Sequence, residues 1–113
     1  MIKNLTPHTV NLLDSEGNLI MAIPSHGVAR VSVKRELVDT IPFEHNGNTV
    51  DVPVNRSVFG EVEGLPQPEP NTLLIVSMVV AKALPERQDL ICPDQTVRDN
   101  EGRIIGCQAF CCP

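Results

Sequence analysis

The sequence predicts a compact, β-dominated α+β domain. Its expected parts are about eight short, mostly antiparallel strands forming a curled sheet or small barrel, and one short helix near residues 77–84. Three observations lead there. The chain has no Trp or Tyr and only three Phe, so Val, Ile and Leu must fill the core, and β-branched residues favour strands. Ten prolines and seven glycines in 113 residues mean frequent turns and little room for long helices. Apolar residues mostly alternate or run in fours between turn signals, and only one segment carries helical spacing.

Taken in order, "VNLLDSEGNLIMAI" reads as a hairpin, Val10 to Leu13 and Leu19 to Ile23, turning at "DSEGN" where Gly17 or Asn18 can take a positive φ. "GVARVSVKRELV" alternates apolar and polar residues, as a strand with one solvated face does. "IPFEHNGNTVDVPV" offers a second hairpin at its Asn-Gly pair, with Val50, Val52 and Val54 on one face. "SVFGEVEGLPQPEP" is a short strand followed by a stiff, proline-punctuated connection. Leu73 to Val76 is a continuous apolar run suited to a central strand. From Ser77 the spacing becomes helical, with Val79, Val80, Ala83 and Leu84 on one face, Ser77 as N-cap and Pro85 as stop. "DLIC" is a further strand, and "TVRDNEGRIIGCQAF" a last hairpin turning at "DNEG".

At this length residues 1–113 are expected to form a single domain. A net charge of −5 gives no basic face for displacing counterions from phosphates, and the scarcity of aromatics removes the stacking platform for single strands, so nucleic acid is not the expected partner. "MIKNLTPHTV" has no apolar core of a secretory signal, and the run "LLIVSMVVAKAL" is interrupted by Ser77 and Lys82, about half of a membrane crossing. A cytoplasmic protein is expected, with Cys92, Cys107, Cys111 and Cys112 as free thiols. Their C-x3-C-C spacing lacks the paired knuckles of zinc sites, so neither metal nor cofactor is expected. Cys107 should face the core of the last strand, leaving "CCP" as a free tail.

No carboxylate pair, nucleophile elbow or metal motif stands out, which shifts the balance from catalysis toward binding. Candidate ligand-binding residues lie in three places. The junction at Ser77 presents a helix N-terminus, which can hold an anion or simply be capped. In "LPERQDLICPDQTVRD" (residues 84–99), Arg87 and Arg98 can fork onto a phosphate or carboxylate. They can equally pair with Asp89, Asp94 or Asp99 and fasten a loop, and Asp89 and Asp94 stand with them as ligand-contact candidates. At "LTPH", Thr6 and His8 stand where the first expected strand begins, with His8 as base, ligand or structural strap.

Three stretches, "NLTPHTVNLLDSEG", "FGEVEGLPQPEPNTLLIVSMVVAKALPERQDLICPD" and "VRDNEGRIIGCQAF", resemble a family of small proteins encoded in bacteriophages, prophages and some bacterial genomes. Residues 35 to 55 and the "CCP" tail fall outside the resemblance, which supplies context more than chemistry. It implies a phage accessory protein that binds a host factor in the infected cell. The expected function is sequestration of a small anionic, nucleotide-derived immune signal, as an anti-defence protein, with a second subunit completing so small a pocket in a homo-oligomer. Three alternatives stand beside it: a protein inhibitor of a host defence factor, a small hydrolase of such a signal with His8 as base, and a minor virion or assembly component.

Overall fold

The computed structural model describes residues Met1–Pro113: eight strands and one helix, in the order β1 (Ile2–Asn4), β2 (Val10–Leu13), β3 (Leu19–Ile23), β4 (Arg30–His45), β5 (Asn48–Glu63), β6 (Leu73–Ile75), α1 (Met78–Ala83), β7 (Leu90–Arg98) and β8 (Ile104–Cys111). No helix is long and apolar enough to cross a membrane. The chain divides into two compact units, one made of Met1–Arg30 with Val62–Pro113 and the other of Val31–Glu61.

The first unit is a six-stranded sheet in the order β1-β6-β7-β8-β2-β3. The β2–β3 and β7–β8 hairpins are antiparallel. Parallel ladders join β1 to β6, β6 to β7 and β2 to β8. An isolated bridge from Asn4 to Ser25 links the end of β1 to the segment that leaves β3, so the sheet is curled and nearly closed. The most buried side chains include Leu74, Ile75, Val76, Val80, Leu90 and Cys92, each at most 2% exposed. They come from β6 and the residue after it, from α1 and from β7, the segments whose apolar runs are continuous rather than alternating, as strands covered on both faces require.

The two hairpins of the sheet use one turn design. Asp14 accepts from the backbone N–H groups of Glu16 and Asn18, and Asp99 from those of Glu101 and Arg103. In each, the glycine three residues on, Gly17 at φ 87° and Gly102 at φ 81°, takes the left-handed conformation and returns its N–H to the aspartate carbonyl.

Several elements differ from the sequence reading. β1 was not anticipated, because three residues are too few to show a period. "DLIC" and "TVR" join into one strand, β7, that serves both the parallel and the antiparallel ladder. The helix buries Val80 and Ala81 and leaves Val79 39% exposed, so its inner face is rotated from the expected one. Cys107 is buried as expected, but Cys111 belongs to β8, opposite Cys92, and only Cys112 and Pro113 follow the strand.

The second unit is a two-stranded ribbon of β4 and β5. The expected Asn-Gly turn is present, with Asn46 at φ 50° and Gly47 at φ 80°, the positive pair of a two-residue hairpin turn. The strands on either side run unbroken for 16 residues each, where the alternation had indicated separate short strands on the main sheet.

Candidate functional site

A pocket of about 300 Å³ opens on the first unit, between the start of β2 and the β7–β8 hairpin. His8, Thr9, Val10 and Asn11 form one wall, Pro93 and Thr96 of β7 another, and Ile104 to Cys107 of β8 the floor and remaining side. The cause lies in the β2–β8 ladder, where Leu12 stands opposite Cys107. Just before it, Asn11 reaches β8 through its side chain, donating from Nδ2 to the Ile105 carbonyl at 3.2 Å. Gly106 permits the approach: a Cβ there would stand 2.8 Å from the Asn11 carbonyl oxygen and 2.8 Å from the Leu13 side chain. The volume is at the lower end of small-ligand sites, and the lining has the usual character, apolar walls with a few polar groups.

His8 is exposed at the mouth. Arg98 stands directly opposite Ile104, a lining residue, across the β7–β8 ladder. Its Nη1 donates to the Gly102 carbonyl at 2.7 Å, which leaves its other N–H groups available. Between Pro93 and Thr96, Gln95 holds the left-handed conformation at φ 48°, an uncommon state for a residue other than Gly, Asn or Asp and one that clusters at binding sites.

The other sequence candidates are placed elsewhere. Arg87 donates from Nε to Asp89 Oδ1 at 2.8 Å and from Nη2 to Oδ2 at 2.7 Å, a bidentate fork, and Nη2 also reaches the Pro66 carbonyl at 3.0 Å. The pair is mostly buried, at 17% and 14% side-chain exposure. The Arg87 hydrogen bonds hold the Asp89 carboxyl below the usual carboxylate range, and Asp89 in turn raises Arg87. This pair fastens the proline-rich connection to the loop after the helix.

Thr6 serves a buried hub. Asn4 has no exposed surface. Its Nδ2 donates to the carbonyls of His8 at 2.7 Å and Ile23 at 2.9 Å, and its Oδ1 accepts from the Thr6 backbone N–H at 3.0 Å and hydroxyl at 2.6 Å. Ser77 has N-cap backbone geometry but makes no side-chain cap bond, and α1 is six residues long. Asp94 is exposed on β7. Of the seven candidates, therefore, His8 alone lines the pocket, Arg98 is paired in the ladder with the lining residue Ile104, Arg87 and Asp89 bind each other, and Thr6 holds the turn that carries His8.

A second, wider groove of about 710 Å³ has Met1, Asn71, Thr72, Glu86, Gln88 and Asp89 among its lining. Its lining carries Glu86 and Asp89 and no Lys, Arg or His side chain, which disfavours an anion there.

Among the thiols, burial next to Cys111 pushes Cys92 up to about 11, and burial raises Cys107 as well. Both are protonated at neutral pH and poor nucleophiles. No group of three His, Cys, Asp or Glu side chains is placed to hold a metal ion.

The pocket residues that the sequence did not indicate, Asn11, Thr96 and Ile104 to Gly106, carried no local signal, because Asn11 and Ile105 meet across 94 positions of chain. Comparison with protein-family models, curated proteins and solved structures returned no match, so the chemistry of the pocket is argued from its own geometry.

Proposed function

We propose that this chain is a binding protein that takes a small ligand, with a flat or apolar body and an anionic end, into the pocket between β2, β7 and β8. The observation that carries the reading is a largely apolar cavity that has His8 in its lining, with Arg98 at the ladder position opposite the lining residue Ile104. Val10, Pro93, Ile104 and Ile105 would cover the body of the ligand, while Arg98 and His8 would donate to its anion. Asn11 and Thr96 offer hydrogen bonds to hydroxyl or base edges. No nucleophile or general-base pair accompanies them, which favours holding the ligand over transforming it. Together with the resemblance to phage-encoded proteins, this supports sequestration of a nucleotide-derived immune signal in the cytoplasm of an infected host.

Titration calorimetry with a panel of linear and cyclic nucleotides tests the reading. One member should bind, and His8→Ala or Arg98→Ala should each weaken it about 10- to 100-fold, the loss of a hydrogen bond to a charged group. Binding that is indifferent to both substitutions would reject the site.

The second reading, a cover for a host protein, is favoured by one feature. Leu19, Ile20 and Met21 of the edge strand β3 are 59%, 60% and 56% exposed, the kind of apolar patch that proteins dock on. A stable complex with a host polypeptide and no nucleotide binding would select it.

A further inference from the structure

Three of the four thiols come together at the end of the β7–β8 hairpin away from its turn. The ladder sets Cys92 directly opposite Cys111, and Cys112 is the first residue after β8. Directly opposed residues of an antiparallel pair point to the same face of the sheet. Their Cα atoms stand about 4.5 or 5.5 Å apart, and either spacing lies within the roughly 4.4–6.8 Å of disulfides. Their Cβ atoms, about 5 Å apart, need to close by only about 1 Å. Cys111 is the last residue of its strand, so that shift falls on the end of the ladder rather than its middle.

The same geometry disfavours the other pairings. Cys107 lies four positions before Cys111 on β8 and stands opposite Thr96, four positions from Cys92. Each separation is about 13 Å along the strand, well beyond the reach of a disulfide. Cys111 and Cys112 are neighbours in sequence, and successive side chains at a strand end point to opposite faces.

Access is graded in the order that a stepwise oxidation needs. Cys112 is exposed, Cys111 half-buried and Cys92 only 1% exposed. A small oxidant therefore reaches Cys111 before Cys92. Burial, and after it the Cys111 sulfur alongside, makes Cys92 hold its proton, so Cys92 does not react first. A buried, protonated thiol facing an accessible one is arranged as the resolving member of a pair.

We propose that Cys92 and Cys111 form a redox modification site, joined by a disulfide when a peroxide reaches Cys111. The Cys111 thiolate attacks one oxygen of hydrogen peroxide and the O–O bond breaks. Cys111 becomes a sulfenic acid, and the departing hydroxide takes up the proton the thiol had released, forming water. The Cys92 sulfur then attacks the Cys111 sulfur. The S–S bond forms as the S–O bond breaks, and the hydroxyl leaves with the Cys92 proton as a second water. The two thiols have lost two electrons, the peroxide has gained them, and a small dithiol reverses the change. The link ties β7 to β8 next to Pro93, which lines the pocket, and its formation is independent of what the pocket holds.

Peptide mapping under non-reducing conditions, after brief exposure of the folded protein to hydrogen peroxide, tests the assignment, with fragment spectra to place the bond. The wild type and Cys112→Ser should each lose the mass of two hydrogens. Each should yield one linked pair of peptides, joined through Cys92 and Cys111, that dithiothreitol separates. Cys111→Ser should show no link within the chain. With Cys92→Ser and Cys112→Ser combined, the reaction should stop at the sulfenic acid, so that dimedone labels Cys111. The wild type and Cys112→Ser decide the question even where loss of the buried Cys92 thiol unfolds the chain. Four thiols left unlinked, a bond from Cys111 to Cys112 or through Cys107, or links only between chains through Cys112 would overturn the proposal. So would loss of the bond in Cys112→Ser.

Discussion

Single side chains decide two things in this molecule, how the sheet is fastened and what the pocket can hold. Asn4 uses both amide hydrogens and accepts twice on Oδ1, tying the His8 turn to the end of β3. Asn4→Leu should therefore lower stability by about 2–4 kcal/mol, since several buried groups lose partners at once; denaturant unfolding would measure it, and a change under half of that would argue against a hub. Arg87 and Asp89 form the second fastening. Breaking a largely buried pair on one side strands the other charge, so Arg87→Ala should cost about 2–4 kcal/mol. The pH dependence follows from the lowered Asp89. A carboxyl depressed in the folded state stabilises fully above its unfolded value, about 4. That contribution is lost as pH falls through the folded value, which lies lower. Asp89→Asn should thus flatten the acid limb of a stability–pH profile below about pH 4, while leaving its slope near neutrality unchanged. Neither role was legible beforehand. Asn4 carried no signal, and "LPERQDLICPDQTVRD" offers several partners for Arg87; the bidentate contact with Asp89, two residues away, became clear only from the backbone that presents it.

The elements show where local sequence is sufficient and where it is not. Both β2–β3 and β7–β8 turn on an aspartate followed three residues later by glycine, and these hairpins were readable because the whole signal lies within five residues. Gly17→Val and Gly102→Val should each cost about 1–2 kcal/mol, for a β-branched residue forced to positive φ; thermal melts check this. Gly106→Ala should be worse than either. Its Cβ would press on the backbone of β2, so β2 must move away from β8, and ligand binding should fail together with stability. The parallel ladders were not readable, because β1–β6, β6–β7 and β2–β8 pair segments with no turn between them to announce the contact. The ribbon was readable at Asn46–Gly47 and not beyond it. Alternation of apolar and polar residues identifies a strand with two unlike faces, but it is silent on which strand or which molecule covers the apolar one.

At the scale of the molecule, the six-stranded sheet supplies a rigid frame, and its curl brings the start of β2 against the last hairpin. His8 lines the pocket because Asn4 and Thr6 hold its turn, and the β7–β8 ladder sets Arg98 opposite the lining residue Ile104. The β-dominated class and the short helix could be argued from composition and spacing. The pocket could not, since its walls come from stretches some 90 residues apart and only His8 among the candidates lines it. Native mass spectrometry of the protein recovered from cells with an active immune response, followed by denaturation, tests the binding function most directly. A small anionic species of nucleotide mass should accompany the wild-type chain, be released intact, and be missing from His8→Ala and Arg98→Ala. Bare protein, or the same added mass on both variants, would contradict a nucleotide-holding pocket.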